Sequence, residues 1–298
     1  MSKIYYVPDV HLQEYSPRSR KDAYPSTILE KLESIVNIVN ENNGLCIFLG
    51  DIFNATNLPM IYFYRVVEVF KKFNSRPHVI WGNHDMFRNN AEMSNRTPLG
   101  LLMSIGLVKQ LESIEVDNTV INGFNFTDVI TNVNKDSKKN VCVAHCFYED
   151  NFAETHNLHV DDCIKLGYDD YILGHDHTPY EDIHNDKYSV YRIGSLSRGT
   201  ANDNQMTRDK VYILEYDTVT ESYNKVSIPC LPAKDVFKES VFLRKEEKKN
   251  MDKILDNLVF TSNDSIYDVL DRSEQKKEVK DIVEQYLQAA GIFRENLN

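Results

Sequence analysis

The sequence contains no long apolar run, and this absence limits where the protein can reside. No stretch approaches the roughly 18 consecutive apolar residues of a membrane-spanning helix, so we expect no transmembrane segment. The first residues, MSKIYYVPDVHLQ, lack the apolar core that a secretory signal peptide carries. We therefore expect no signal peptide.

Cysteine is scarce and odd in number, with only five residues: Cys46, Cys142, Cys146, Cys163 and Cys230. No pair has the C-x-x-C spacing of zinc ribbons and dithiol redox sites. Most of these cysteines lie in or beside apolar runs, where an unpaired thiol commonly acts as a small buried hydrophobe. This usage favours a reducing compartment, and we expect a cytoplasmic location.

Basic residues are fewer than acidic residues. The chain has 34 Lys and Arg against 45 Asp and Glu, a net charge of -11, and most of the excess lies before residue 226. A passive nucleic-acid binder is usually basic, so the composition argues against one. A protein of this charge that handles phosphates needs another source of positive charge, and bound divalent cations would provide it.

The first two-thirds of the chain alternate strand-like and helix-like patterns. The segment STILEKLESIVNIVNENNG has helical apolar spacing, with Ser26 or Thr27 as the expected cap and Gly44 as the stop. Short apolar runs such as LCIFLGD, NVCVAHC and DYILGHDH indicate buried strands. Strands that alternate with helices predict a layered α/β fold.

The pattern changes near residue 226, where Pro229 and Pro232 suggest a boundary. We therefore predict a core over 1–225 and a capping or partner-binding region over 226–298. That region contains two apolar helix faces: Met251, Ile254, Leu255, Leu258 and Val259 on one, and Val279, Ile282, Val283, Tyr286, Leu287 and Ala290 on the other. Such faces usually pack on their own neighbours, and docking of a partner is the alternative.

Polar side chains follow the ends of five predicted strands. They are Asp9 and His11 in PDVH, Asp51 in LGD, Asn83, His84 and Asp85 in GNHD, His145 in VAHC, and His175 and His177 in GHDH. Open α/β sheets bind ligands outside the carboxyl ends of their strands. GNHD alone could be a turn with a hydrogen-bonded histidine. With five such strand ends, we expect the side chains to converge on one site.

The residue types at these strand ends suit a pair of metal ions. Carboxylate and amide oxygens mixed with imidazole nitrogens favour Mn²⁺, Fe or Zn²⁺ over metals of soft thiolate sites. Two metals about 3.5–4 Å apart need a bridging group, and Asp51 is the natural candidate. In D-x-H and H-x-H, alternate residues of an extended chain point the same way, so each motif can present two ligands to one cluster.

The motifs DVH, GD, GNHD, H and GHDH, in this order, resemble those of the calcineurin-like metallophosphoesterases over roughly the first 225 residues. Within that superfamily, GDIFN, YRIGSLSRG and the C-terminal extension look most like the SbcD nuclease and its double-strand-break repair counterparts. The resemblance implies a layered α/β fold with two central mixed sheets flanked by helices. It also implies a small α-rich cap at the C-terminal end.

The same resemblance implies two divalent metal ions, with Mn²⁺ as the expected metal. Seven residues are the implied ligands: Asp9, His11 and His177 for one ion, Asn83, His145 and His175 for the other, and Asp51 bridging both. His84 would stabilise the transition state or protonate the leaving oxygen while activated water attacks phosphorus. Gly82 would let the backbone turn, and Asp85 would orient the turn or His84.

Asn54 departs from the pattern of the family. The third residue after the bridging aspartate is Asp in the protein phosphatases and Asp or His in SbcD-type nucleases. A neutral amide supports an imidazolium less well than a carboxylate, which questions the efficiency of His84 but not metal binding. The chain also lacks the GDxVDRG pattern of Ser/Thr phosphatases, which argues against a phosphoprotein substrate.

Several arginines follow the strand-end motifs in the chain. Arg18 and Arg20 follow the first motif, Arg88 follows GNHD, and Arg198 follows GSLS. Loops at the carboxyl edge of the sheet could place these side chains on substrate phosphates. Solvated loop charges are the alternative.

The resemblance favours a metal-dependent DNA nuclease, an exonuclease or also an endonuclease, that acts in DNA repair, recombination or replication. Its partners would be DNA and an SbcC-type ATPase with long coiled coils, because this chain has no Walker motif. A homodimer is expected by analogy. The alternative is a phosphodiesterase for small or cyclic nucleotides. A non-catalytic scaffold would require missing ligands, and all seven are present.

Overall fold

The computed structural model describes residues 3–133, 138–150, 156–256, 266–272 and 277–289. In these ranges the strands are β1 (Lys3–Val7), β2 (Leu45–Phe48), β3 (His78–Val79), β4 (Lys109–Gln110), β5 (Ser113–Val116), β6 (Thr119–Phe124), β7 (Lys139–His145), β8 (Phe147–Tyr148), β9 (Asn157–Leu158), β10 (Asp170–Gly174), β11 (Ile183–His184), β12 (Ser189–Tyr191), β13 (Val211–Asp217) and β14 (Ser222–Ile228). The helices are α1 (Tyr24–Glu41), α2 (Met60–Phe70), α3 (Pro98–Ser104), α4 (Val160–Leu166), α5 (Asp203–Thr207), α6 (Ala233–Val236), α7 (Glu239–Asp256), α8 (Ile266–Arg272) and α9 (Lys277–Ala289).

Two six-stranded mixed sheets form the centre of the first part of the chain. The first has the order β14-β13-β1-β2-β3-β4, in which β1 to β4 run parallel and β13 is antiparallel to both of its neighbours, β1 and β14. The second has the order β11-β12-β10-β7-β6-β5, with a parallel centre formed by β12, β10, β7 and β6. The predicted α/β fold with two central mixed sheets flanked by helices is confirmed.

Strand β1 shows how the sequence builds this layered core. Ile4 and Tyr6 pack in the cluster that joins the two sheets, together with residues of β7 such as Val141. Tyr5 and Val7 point the other way and pack with α1. Both faces of the strand are buried, so it has no polar face. Each large apolar side chain buried in this way stabilises the fold by about 1.5–3 kcal/mol.

Helix α1 begins earlier than its sequence signal predicted. The expected cap at Ser26 or Thr27 is wrong, because the helix starts at Tyr24 and the residue before it supplies no side-chain cap. Pro25 occupies the first turn, where its missing N–H has no helical partner to lose. The Tyr24 N–H donates to the Asp22 carbonyl at 2.9 Å and to the Ser16 hydroxyl at 3.2 Å, so the loop before the helix satisfies the first amide.

The chain divides into two compact units, Met1–Phe237 and Lys238–Asn298. Strand β14 extends to Ile228 inside the first unit, so this unit runs past the predicted boundary at 225. Within the second unit, Tyr267 and Leu270 of α8 pack with two residues of α9, Val283 and Leu287. Two other residues of the predicted α9 face, Ile282 and Tyr286, are exposed. Three predicted positions lie outside the described residues: Leu258, Val259 and Ala290. The structure does not describe the side chains of the remaining four, which are Met251, Ile254, Leu255 and Val279.

None of the described helices combines the length and apolar character needed to cross a membrane. All five cysteines are free thiols, and four of them are buried.

Candidate metal centre

The carboxyl ends of five parallel strands bring the candidate ligands to one place. Strands β1, β2 and β3 of the first sheet lead into the PDVH, LGD and GNHD segments. In the second sheet, β7 ends at His145 and β10 ends just before His175. Because the two sheets pack face to face through the apolar cluster that contains β1, their polar strand ends meet above it.

The ligand atoms form two groups that share one residue. Asp9, His11, Asp51 and His177 offer atoms that all lie within 4.8 Å of one another, and so do Asp51, His145 and His175. Asn83 adjoins the second group, because its Oδ1 lies 3.3 Å from His145 Nε2. All seven residues predicted as ligands therefore lie in one cluster.

Asp51 lies between the two groups, and its two carboxylate oxygens have different surroundings. Oδ1 accepts a hydrogen bond from the backbone amide of His84 at 2.9 Å. Oδ2 lies 3.7 Å from His11 Nε2 and 3.5 Å from His145 Nε2, which belong to different groups. The amide thus fixes one oxygen and leaves the other directed at both groups, as a bridging ligand requires.

Hydrogen bonds to the backbone orient two of the ligands. His145 Nδ1 donates to the carbonyl of Leu49 at 2.7 Å, so Nε2 is the ring atom that faces the cluster. The carboxylate of Asp9 accepts the backbone N–H of His175, at 3.1 Å and 3.2 Å from its two oxygens. Such contacts fix each ligand before any metal binds, which lowers the cost of binding.

The backbone of three ligand residues is in the left-handed region. His11, Asp51 and His175 have φ values of 54°, 47° and 86°. For a residue with a side chain this conformation costs about 1–2 kcal/mol. Strain of this kind persists only where the surrounding structure enforces it, and eight described non-glycine residues outside the ligand set, such as Arg88 and Glu221, share this backbone region.

Burial and mutual repulsion set the charges in the cluster. Burial raises the pKa of Asp9 to about 8, and the negative charge of Asp51 adds to the rise. Burial lowers the pKa of His11 and of His175 to about 3, so both rings are neutral at pH 7. Burial alone would lower the pKa of His145, but the charge of Asp51 outweighs it and raises the pKa to about 9. At pH 7 the metal-free cluster therefore holds a protonated Asp9 and a charged His145, and a divalent cation would have to displace both protons to bind.

The GNHD segment depends on a glycine and on a buried carboxylate. A Cβ atom at Gly82 would overlap the amide and carboxylate of Asp51, so only glycine fits beside that ligand. Asp85 is fully buried and accepts the backbone amides of Ile52, Phe53 and Gly82 at 3.2, 2.9 and 3.2 Å. Asp85 is therefore a positioning residue that ties the GNHD turn to the LGD turn.

His84 contacts the backbone of Asn54, not its side chain. Its Nδ1 donates to the Asn54 carbonyl oxygen at 2.9 Å, while the Asn54 side chain donates to Gln13 Oε1 at 2.7 Å. The expected weak support by the amide side chain is therefore wrong, because a backbone carbonyl supplies the support. The bond leaves Nε2 as the free ring nitrogen of His84, whose ring centre lies 5.0 Å from that of His11.

Comparison with known proteins agrees with this geometry. The sequence pattern of the calcineurin-like phosphoesterases matches residues 2–179. The chain belongs to the calcineurin-like phosphoesterase family. The comparison with curated proteins finds no match.

Solved structures resemble this phosphoesterase at low identity. TT1561 of Thermus thermophilus is 10% identical, with a TM-score of 0.43, over 76% of this chain and 99% of that chain. Vps29 of Chaetomium thermophilum is 9% identical, with a TM-score of 0.38, over 76% of this chain and 97% of that chain.

The residues of this phosphoesterase fit a divalent metal. His11 Nε2 and His177 Nε2 lie 2.7 Å apart, and both lie near a carboxylate oxygen of the cluster. His11 Nδ1 is buried without a partner, so the ring has its polar contacts only on the cluster side. The oxygen and imidazole donors match those that bind Mn²⁺, Fe or Zn²⁺ in proteins.

The four arginines predicted to contact substrate lie in two kinds of surroundings. Arg18 and Arg88 are exposed on the loops that follow β1 and the GNHD turn. Arg20 and Arg198 are buried, at 4% and 1% exposure, and both line a cavity that contains none of the candidate ligands. The structure therefore separates these two from the metal cluster.

An aromatic wall beside the cluster has no counterpart in the sequence prediction. The ring centres of Phe126 and Phe147 lie 5.2 Å and 4.2 Å from that of His175. The ring centre of His156 lies 3.9 Å from that of Phe126. Phe126 follows β6 and therefore lies at a strand end, as the ligands do. The sequence did not indicate it as a site residue, because an aromatic side chain does not bind metal.

Proposed function

We propose that this phosphoesterase is a metal-dependent DNA nuclease that hydrolyses phosphodiester bonds with two divalent ions, with Mn²⁺ as the expected metal. It would act as an exonuclease, and as an endonuclease on suitable DNA, in repair, recombination or replication. The observation that carries the proposal is Asp51, whose Oδ2 lies within 3.7 Å of a histidine from each ligand group. A shared carboxylate is the feature that a two-metal site requires.

The roles of the surrounding residues follow from their contacts. Bound metals would supply positive charge for the phosphoryl oxygens and lower the pKa of water. His84, held through Nδ1 by the Asn54 carbonyl, has Nε2 available for the leaving oxygen. Asp85 keeps the GNHD turn in place through its three amide contacts.

Substrate and partners rest on the resemblance to SbcD-type nucleases. DNA would be the substrate, and an SbcC-type ATPase would be the partner that consumes ATP, since the chain has no Walker motif. The helical second unit, Lys238–Asn298, is the proposed cap or ATPase contact, and a homodimer is the proposed assembly. The free thiols support a reducing, cytoplasmic setting.

A phosphodiesterase for small or cyclic nucleotides is the second candidate, and one observation favours it. A cavity of about 460 Å³ lies beside the metal cluster and is lined by His145, Phe126 and His156. That volume is within the range of small-molecule sites, and aromatic walls suit a nucleobase. The separation of Arg20 and Arg198 from the cluster also leaves fewer cations there for a long DNA backbone.

Hydrolysis of an end-labelled duplex oligonucleotide with Mn²⁺ tests the proposal, with bis-p-nitrophenyl phosphate and a cyclic dinucleotide in parallel. We expect nucleotide release by the wild type and loss of it in His84→Ala and Asp51→Asn. The matched control is His184→Ala, an exposed histidine outside the cluster, which should keep full activity. Cleavage of the small diesters without any DNA cleavage, also after addition of the ATPase, would favour the second candidate.

A further inference from the structure

A second polar cavity lies in the first unit, apart from the metal cluster. Its volume is about 310 Å³, and its walls come from α1, the loop before α1, the loop after β12 and the segment after β14. Three cationic side chains line it: Arg20, Lys31 and Arg198. Their exposures are 4%, 7% and 1%, so all three are more than nine-tenths buried.

Arg198 has one donor group without a partner. Its Nε donates to the carbonyl of Gln205 at 3.1 Å, and its Nη1 donates to the carbonyl of Leu231 at 2.6 Å. Its Nη2 is buried and has no hydrogen-bond partner. A buried charged donor is costly to leave unpaired, and here it belongs to a side chain that lines the cavity.

The acidic groups that line the cavity do not balance its cations. Asp22 is engaged by Arg20, through two bonds of 2.6 Å to the Nε and Nη2 of the guanidinium. Glu30 is exposed, and among the described residues no carboxylate lies within 4 Å of Lys31 or Arg198. The thiol of Cys230 donates to the carbonyl of Asp209 at 3.0 Å.

The ammonium group of Lys31 is also buried beside other positive charges. Its Nζ donates to the carbonyl of Leu196 at 2.6 Å. Burial lowers the pKa of Lys31 to about 7; Cys230 opposes this shift, and the positive charges of Arg20 and Arg198 add to it. An anion in the cavity would relieve this repulsion.

We propose that this cavity is an anion site that binds a phosphate group, either free phosphate or the phosphate of a mononucleotide. The guanidinium of Arg198 and the ammonium of Lys31, which both line the cavity, are its principal donors. Guanidinium and ammonium groups are the usual protein partners of phosphate oxygens. The volume is about ten times the ~30 Å³ share of one water molecule, which leaves room for a phosphate and part of an attached group. The site does not depend on the nuclease activity, because none of its lining residues is a candidate metal ligand.

Calorimetric titration in EDTA at constant ionic strength tests the site, because EDTA prevents phosphate from binding through metal. The ligands are inorganic phosphate, adenosine 5′-monophosphate and malonate. We expect phosphate or the mononucleotide to bind the wild type, and the affinity to fall at least tenfold in Arg198→Gln and in Lys31→Met. Equal affinity for the two ligands identifies the phosphate alone as the recognised group, and tighter mononucleotide binding identifies an attached nucleoside.

Two surface variants separate the cavity from general charge effects. Glu30→Gln removes an exposed carboxylate at the cavity and should strengthen binding or leave it unchanged, even if the buried variants unfold. Arg76→Gln removes an exposed arginine that does not line the cavity and should leave the affinity unchanged. The proposal is overturned if the wild type binds neither phosphate ligand, if malonate binds as tightly, or if Glu30→Gln weakens binding.

Discussion

The glycine of GNHD allows a quantitative test of how closely the metal cluster is packed. A Cβ atom at Gly82 would lie 2.7 Å from Asp51 Cγ and still closer to the Asp51 amide, whereas an ordinary Cβ contact is at least 3.4 Å. In Gly82→Ala, Asp51 must therefore retreat by about 0.7 Å or more. A displacement near 1 Å at a reacting centre costs about 100-fold in rate, and overpacking of this kind costs about 1–3 kcal/mol of stability.

Gly106→Ala is the matched control. Gly106 has a positive φ, of 76°, which Gly82 does not have, and its nearest neighbour is Arg76 Nη2 at 3.4 Å, at the end of a flexible side chain. This variant should lose about 1 kcal/mol of stability and keep its activity. The assays are hydrolysis of bis-p-nitrophenyl phosphate with Mn²⁺, and urea unfolding. If Gly82→Ala keeps its rate within about twofold of the wild type, the close packing of Asp51 against this turn is refuted.

Three further predictions concern His84, Asn54 and Asp22. His84→Ala should lower kcat by about 10²–10⁴-fold with unchanged Mn²⁺ affinity, and a parallel loss of metal binding would show that His84 is a ligand. Asn54→Ala should keep kcat within about threefold, because the backbone carbonyl holds His84; a large fall would assign the support to the side chain. Burial would raise the pKa of Asp22, but the bond and charge of Arg20 outweigh it and hold the pKa below its ordinary value. The stability that this pair adds is therefore present above about pH 4 and is lost as the pH falls further. The difference in the free energy of unfolding between wild type and Asp22→Asn, measured in urea, should become smaller at low pH. A constant gap would contradict this assignment.

The ligand cluster could be predicted from the sequence because strand ends follow a simple rule. Apolar runs mark the strands, parallel strands end at one edge, and Asp51 or His145 directly after a run must lie at that edge. The sequence could not show that Oδ1 of Asp51 is held by the His84 amide, because that bond joins two turns 33 residues apart.

The less successful predictions involve contacts that sequence spacing does not encode. The predicted helix start near Ser26 is wrong because the preceding loop, through the Asp22 carbonyl and the Ser16 hydroxyl, satisfies an earlier amide. The role given to Asn54 failed because its side chain and its carbonyl have different partners. Arg198 follows a strand-end motif, as the substrate contacts were expected to do, but its loop directs the guanidinium into a separate buried cavity. In each case the tertiary structure, and not the local pattern, decides the partner.

The number of metal ions bound by the cluster tests the central claim most directly. Equilibrium dialysis with Mn²⁺, followed by elemental analysis, should give two ions per chain for the wild type. Asp51→Asn should lower the affinity for both ions, because its carboxylate lies between the two ligand groups. A single ion in the wild type, or two ions held with unchanged affinity by Asp51→Asn, would contradict a two-metal site bridged by this residue.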